Sequence, residues 1–426
     1  MTCRYAYDAT RRELRLNLSQ ARAGTGGVFM LPFSFAAADA SGRDIPETVH
    51  TIRFDTPEKE FTVSGIPEPA FLSINRDVGF YGTCTDLSAT PPQLAQQVRL
   101  DSNAFNRVEA MRRLTDLERR RLLANPAATV SVSWLDVYRR VITSTSVSDG
   151  IKGYLLKIDE QPLDRTLLPH VRESYIVRQR LLRAAALACG ETTILNTLQS
   201  LSDTAGAIHD LPAAIERRFV KSAFLQLLVG LKTTAAHETL EELLTQPGSS
   251  RSIQRSGPAW RSANITDRLN TLTALWQSGH PNRHAILMRE GASLRQTLGG
   301  YLGYLQVIGQ SPRDEMFDAV LEEERRPTFS LSHPGLSRAL YVPLSLNNAQ
   351  LWTPRGLRVM TDTVIKLAPI SEFTTLRLIA PFQAYPSFAP DLRDAVKAAL
   401  SEMRAALKKA HCLSVAGRIE AYLTGP

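Results

Sequence analysis

The stretch Asp101-Ser-Asn-Ala-Phe-Asn-Arg-Val-Glu-Ala110 separates two hydrophobic periods that one architecture cannot satisfy together. Before it, apolar and polar residues alternate, as Leu14, Leu16 and Leu18 do with Arg15, Asn17 and Ser19. Alternation lines one face of a strand, whereas apolar residues three and four apart line one face of a helix. The helical spacing begins at this joint. Phe105, Val108, Met111, Leu114, Leu117 and Leu122 fall on one predicted helical face, with Asp101, Ser102 or Asn103 as N-cap and Glu109 four residues before Arg113 on the wet side. The expected fold is therefore multidomain, a small all-β sandwich over 1–98 followed by an all-α solenoid over 99–426. Phe105, as the first apolar residue of that face, is expected to be buried between the two.

The first part supplies short strand candidates at Val28–Phe35, Thr51–Phe54, Glu60–Val63 and Phe71–Ile74. Gly24–Gly27, Ser41–Arg43 and Pro67–Pro69 turn the chain between them, the spacing expected of a sandwich. Thr90-Pro-Pro-Gln93 reads as a linker. Beyond the joint, Leu211–Leu244 predicts two helices with a break near Thr233, and Gln246–Pro258 is a turn-rich surface loop. Ser311-Pro312 and Thr353-Pro354 look like helix starts, an N-cap followed by a proline whose missing N–H costs nothing at the first helical position. About six modest helices are expected over 283–424, joined by short polar loops as in an α-solenoid.

A chain of 426 residues, 43% hydrophobic and 22% charged, has the composition of an ordinary globular protein. No run approaches the roughly 20 apolar residues of a membrane helix, and Met-Thr-Cys-Arg-Tyr5 is not the start of a signal peptide, so a cytoplasmic protein without a membrane partner is expected. Cys3, Cys84, Cys189 and Cys412 are scattered and read as free thiols. The net charge of +8 comes mostly from Arg, yet the basic blocks stop at Arg119-Arg-Arg121 and lack interleaved aromatics, which argues against a nucleic-acid partner.

No catalytic constellation emerges. His237-Glu238 lacks the second His four residues on, where Glu241 stands, and reads as a surface histidine. His280 and His284 have helical spacing but straddle Pro281 without an intervening Glu, and read as a helix-starting turn. There is no Gly-x-Ser-x-Gly elbow, and Gly24-Thr-Gly-Gly27 departs from the dinucleotide fingerprint. Glu322–Glu324 reads as a solvated helix face. One stretch has the chemistry to touch a ligand, Arg325–Arg338: Ser332 is a candidate cap for a helix opened by Pro334, and Arg338 beside that helix start would suit a carboxylate.

Two of these stretches carry a resemblance. Asp101, Asn103, Phe105, Arg107, Glu109 and Ala110 resemble the Asp-x-Asp-x-Phe-x-Arg-Trp-Glu-Ala junction of bacterial-type aminopeptidase N, a zinc exopeptidase family, with Asn103 in place of the second Asp and Val108 in place of Trp. Phe329, Ser330, Ser332, Pro334, Arg338 and Leu340 match the family's Phe-Ser-x-Ser-Asn-Pro-Asn-Arg-x-Arg-Ser-Leu, with His333, Gly335 and Leu336 differing. Tyr7, Leu16–Gln20, Leu31-Pro32, Phe61–Val63 and Pro69–Leu72 are similar to its fibronectin-like domain. The resemblance implies an Ig/fibronectin-like sandwich, an interdomain joint at Phe105, Arg107 and Glu109, and a substrate-cavity loop carrying Phe329, Ser332, His333 and Arg338. It covers the C-terminal half of that family. His-Glu-x-x-His and Gly-x-Met-Glu-Asn, which family catalysis needs, do not occur here. No catalytic residue and no cofactor is thus expected in this chain; zinc would belong to the absent catalytic half.

Two functions follow as expectations. The chain is the non-catalytic C-terminal portion of an aminopeptidase N-like peptidase, shaping peptide access for a catalytic half, which would be its partner. Alternatively it is an independent solenoid module that binds proteins or peptides.

Overall fold

The computed structural model describes residues 1–21, 27–159, 165–201, 211–245 and 264–425. Most of the Gly24–Gly27 turn and all of the Gln246–Pro258 loop lie outside the described residues. The chain forms two compact units, Met1–Ile158 and Asp159–Pro426. The change of period and the division into compact units fall at different places, because the first four helices cluster with the strands.

In the first unit β1 (Thr2–Asp8), β2 (Glu13–Ser19), β5 (Glu58–Ser64) and β7 (Thr85–Asp86) form one sheet in the order β5-β2-β1-β7, while β4 (His50–Phe54), β3 (Leu31–Ala38) and β6 (Phe71–Ile74) form another in the order β4-β3-β6. All pairings are antiparallel except β1 with β7. Leu14, Leu16 and Leu18 are buried while Arg15 and Asn17 are exposed, as alternation requires. They meet Phe33, Phe35, Phe54, Leu72 and Ile74 of the other sheet in one core, which makes the pair a sandwich. The third strand lies farther along the chain than the expected Val28–Phe35; Phe29 instead exchanges two hydrogen bonds with the Gln20 side chain.

The expected linker is a helix. Pro91 opens α1 (Pro91–Leu100), and Gln93 Oε1 accepts from the Thr90 backbone N–H at 2.9 Å, which satisfies a donor the helix start would otherwise strand. Next comes α2 (Ala104–Ala124), capped by Asn103, whose side chain accepts from Asn106 N. Its buried face departs from the expected one in the first turn. Met111, Leu114 and Leu122 are buried, but Phe105 is 41% exposed, and the face that turns inward near the sandwich carries Asn103 and Asn106. The joint is polar: Asn106 Nδ2 donates to Ser73 Oγ at 2.7 Å and to Ile74 O at 3.0 Å, Ser73 Oγ donates to Asp101 Oδ1, and Gln97 Nε2 donates to Asp101 Oδ2 at 2.9 Å. Arg107 donates to the Val98 and Arg99 carbonyls that end α1, and Glu109 pairs with Arg112 rather than Arg113. Arg113 donates instead to the Asp86 carbonyl. The helices α3 (Val132–Thr143) and α4 (Asp149–Leu156) complete the unit.

The second unit is helical among its described residues. After α5 (Val171–Cys189) and α6 (Glu191–Ser200), the two helices expected over 211–244 are α7 (Leu211–Leu231) and α8 (Thr234–Thr245), broken where Lys232 takes a left-handed φ of 57°. Then follow α9 (Ile265–Gln277), α10 (Arg283–Leu294), α11 (Leu298–Ile308), α12 (Glu315–Glu324), α13 (Pro334–Leu346), α14 (Pro354–Leu367), α15 (Glu372–Ile379), α16 (Pro390–Lys409) and α17 (Leu413–Thr424). Eight helices, α10 to α17, thus occupy the region where six were expected. Thr353 caps α14 as expected, with Oγ1 accepting from Gly356 N at 3.0 Å. Ser311-Pro312 does not start a helix, because α12 begins at Glu315 and the Ser311 hydroxyl is buried against Trp276 O. From α5 to α17 each odd-numbered helix packs on the next odd-numbered one, and from α9 onward the helices bury one continuous core, the construction of a solenoid.

Candidate functional site

The stretch Arg325–Arg338 joins α12 to α13 and rests on a base of spent carboxylates. Glu323, 1% exposed, takes two bonds from Arg295 at 2.8 and 2.7 Å and one from Arg326 at 3.0 Å. Glu324 accepts from the Tyr341 hydroxyl and from Lys366 Nζ, each at 2.6 Å, while Glu322 pairs with Arg326 at 2.6 Å. The triple acid is therefore the anchor of the turn rather than a solvated face. Burial and the adjoining Glu324 carboxylate push the Tyr341 phenol far above its ordinary range, so it stays a donor. Behind it, burial pushes Tyr301 up to about 12. Phe329 packs edge-on against Tyr341, with ring centroids 6.3 Å apart, which fixes the middle of the turn.

The helix α13 is capped by His333 and not by Ser332. His333 Nδ1 accepts from Gly335 N and Leu336 N, both at 3.2 Å, so its other ring nitrogen carries the proton of the neutral form. A Cβ on Gly335 would come within 3.0 Å of the His333 ring, which is why a glycine follows the proline here. Ser332 shares a 2.9 Å hydroxyl contact with Ser330 instead. Arg338 lies one turn into α13, exposed, and makes no hydrogen bond or ion pair among the described residues; nor does the exposed side chain of Arg325. The structure thus brings Phe329, Ser332, His333 and Arg338 onto one turn and its helix, and leaves two guanidinium groups uncompensated where every neighbouring Glu is engaged. Sequence reasoning missed the Tyr341–Glu324–Lys366 set; an aromatic three residues after Arg338 was its only trace.

The histidines considered as metal ligands lie elsewhere. His237 of α8 is half-buried, and its Nε2 is enclosed without a hydrogen-bond partner. It meets the ring of His280, centroids 5.4 Å apart, while His284 packs against Trp276. Among the described residues no three His, Cys, Asp or Glu side chains are placed to share a metal ion. Among the described residues, then, no donor set fits zinc. Among the described residues no helix is long and apolar enough to cross a membrane.

Residues 91–411 match the family described as "Domain of unknown function (DUF3458_C) ARM repeats". The chain is 24% identical over 372 residues to aminopeptidase N of Caulobacter vibrioides, an alignment covering 85% of this chain and 41% of that protein. The fold is similar to that in the crystal structure of Legionella pneumophila aminopeptidase A in complex with aspartic acid, with a TM-score of 0.82 and 16% identity over 98% of this chain and 48% of that one. The chain belongs to the DUF3458_C ARM-repeat family. It spans less than half the length of each of these two proteins.

Proposed function

We propose that this chain is the non-catalytic C-terminal portion of an aminopeptidase N-like zinc metallopeptidase and that it shapes the path by which peptides reach a catalytic half. The zinc and the hydrolytic residues belong to that half, and the working compartment is the cytoplasm. Seven described strands split between two sheets support the fibronectin-like reading of the first part. The observation that carries the role of the second part is the pair of uncompensated guanidinium groups, Arg325 and Arg338, on a turn held rigid by Glu322–Glu324. An exposed guanidinium next to a helix N-terminus favours carboxylates, hence peptide C-termini or acidic side chains. A structural Arg would be spent on a neighbouring acid.

The test uses the purified chain with a separately produced catalytic half and short peptides. The chain alone should hold no stoichiometric zinc and release no amino acid. Arg338→Ala should leave the melting temperature in place while weakening peptide binding by about 1.5 to 3 kcal/mol, the range of a charged hydrogen bond, or raising KM by the equivalent of roughly 10- to 150-fold. Unchanged affinity for both the catalytic half and peptides would remove the role given to Arg338. Tight peptide binding with no effect on any catalytic half would favour an independent peptide-binding module.

A further inference from the structure

We propose that the His237–His280 contact is a proton-sensitive latch, which holds α8 against the α9–α10 turn while His237 is neutral and releases it when His237 takes up a proton. The two rings meet edge to face at 5.4 Å. His280 is 5% exposed and fixed from both sides: its Nδ1 accepts from Asn282 N at 3.0 Å and its Nε2 faces Glu241 Oε2 at 3.4 Å. The partner ring is not so provided for. His237 Nε2 is buried without an acceptor, and a Cβ placed on Gly279 would lie 3.8 Å from it and from an Arg313 guanidinium nitrogen alike. An imidazolium bears N–H on both nitrogens, so protonation creates a buried charged donor with nothing to receive it.

The charges around the ring do not relieve this. From the α9–α10 turn comes His280, and at the start of α10 stands Arg283, bound to Glu315 by two contacts at 2.6 and 2.8 Å. From the segment before α12 comes Arg313, held in place by two bonds to Ser278 O. On the helix itself Glu238 is exposed, and Glu241 is already engaged by His280 and, at 3.9 Å, by Arg289 of α10. Burial first, then His280 and Arg313, lower the affinity of His237 for a proton. The sign follows. Above the ordinary value of 6.5 both the docked and the released ring are neutral and the latch is fully closed. As pH falls from there towards the depressed value of the docked ring, the released state binds protons that the docked state refuses, and the docked state loses ground by up to about tenfold per pH unit.

The experiment is peptide-resolved hydrogen exchange on the full chain between pH 7.5 and 5, corrected for intrinsic exchange rates, for wild type, His237→Gln and His237→Phe. In wild type the opening constant of α8 should rise as pH falls below 6.5, by up to about tenfold per unit until the depressed value of the docked ring is reached, while α14 and α16 stay unchanged, and neither variant should show that rise. Equal pH dependence in wild type and variants would overturn the latch. Should both variants fail to fold, NMR titration of His237 in the wild-type chain decides the matter: an apparent pKa at or above 6.5 refutes the proposal, and one clearly below it sustains it.

Discussion

Replacing Asn106 by Ala should destabilise the first unit far more than replacing Phe105 by Ala. Hydrophobicity alone would order the two the other way. Asn106 is buried and its amide donates to Ser73 Oγ at 2.7 Å and Ile74 O at 3.0 Å, both on the strand that the sandwich presents to α2. Truncation leaves two buried acceptors without that donor, and an unmade bond to a buried polar group costs roughly 1 to 3 kcal/mol. With Ser73 still donating to Asp101, the expected loss for Asn106→Ala is about 2 to 4 kcal/mol. Phe105 is 41% exposed, so Phe105→Ala should cost less than about 1 kcal/mol, against the 3 to 5 kcal/mol of a fully buried phenylalanine. Because the chain has two compact units, a single unfolding midpoint would mix them. Hydrogen exchange across a urea series, read on peptides from β6, α1 and α2, reports the first unit by itself. A Ser73→Ala cycle adds a check: the two sites should couple by about 0.5 to 3 kcal/mol. If Phe105→Ala proves as costly as Asn106→Ala, the polar joint is not what holds α2 to the sandwich.

Two further outcomes are expected. Glu323→Ala removes the one carboxylate that Arg295 and Arg326 share and should cost about 3 to 5 kcal/mol in urea unfolding of the second unit; a loss under about 1 kcal/mol would show the turn to be anchored otherwise. Burial, followed by the nearby Asp86 carboxylate, raises the Cys3 thiol well beyond its ordinary range, and burial pushes Cys84 up to about 12, so at pH 8 very little of the Cys84 thiol, on the order of one in ten thousand, is ionised. Alkylation followed by mass spectrometry should find both untouched in the native chain, and modification there faster than global unfolding would contradict this.

The strands of the sandwich were legible because a half-buried strand writes its faces directly into the sequence. β2 and β6 coincide with their apolar patterns almost residue for residue. Helix number was less legible. An eight-residue helix such as α15 is only two turns long, so it offers too few positions to establish a period, and solenoid packing rather than pattern decides that it forms. The Thr90–Gln93 segment misled because proline serves equally well in a linker and at the first position of a helix, and only the returning bond from Gln93 separates the cases.

The candidate site was legible as a stretch and not as an arrangement, for a reason that also explains the joint. Apolar periodicity counts the side chains that water rejects; it is silent about polar side chains that find partners inside. At α2 the inward face near the sandwich is Asn103 and Asn106, so a pattern that admits only apolar residues rotates the helix and puts Phe105 where Asn106 belongs. At α13 serine is the commoner cap, yet the neutral His333 ring accepts the same two backbone N–H groups once Gly335 leaves room for it. Glu322–Glu324 reads as a wet acidic run until Arg295, Arg326 and Lys366 are brought to it by three different helices and turns. In each case the deciding quantity is whether a buried donor meets an acceptor far away in the chain. Arg338 reverses that test: like Arg325 it is an exposed cation whose neighbouring carboxylates on the turn are all taken, which is the observation the proposed role rests on.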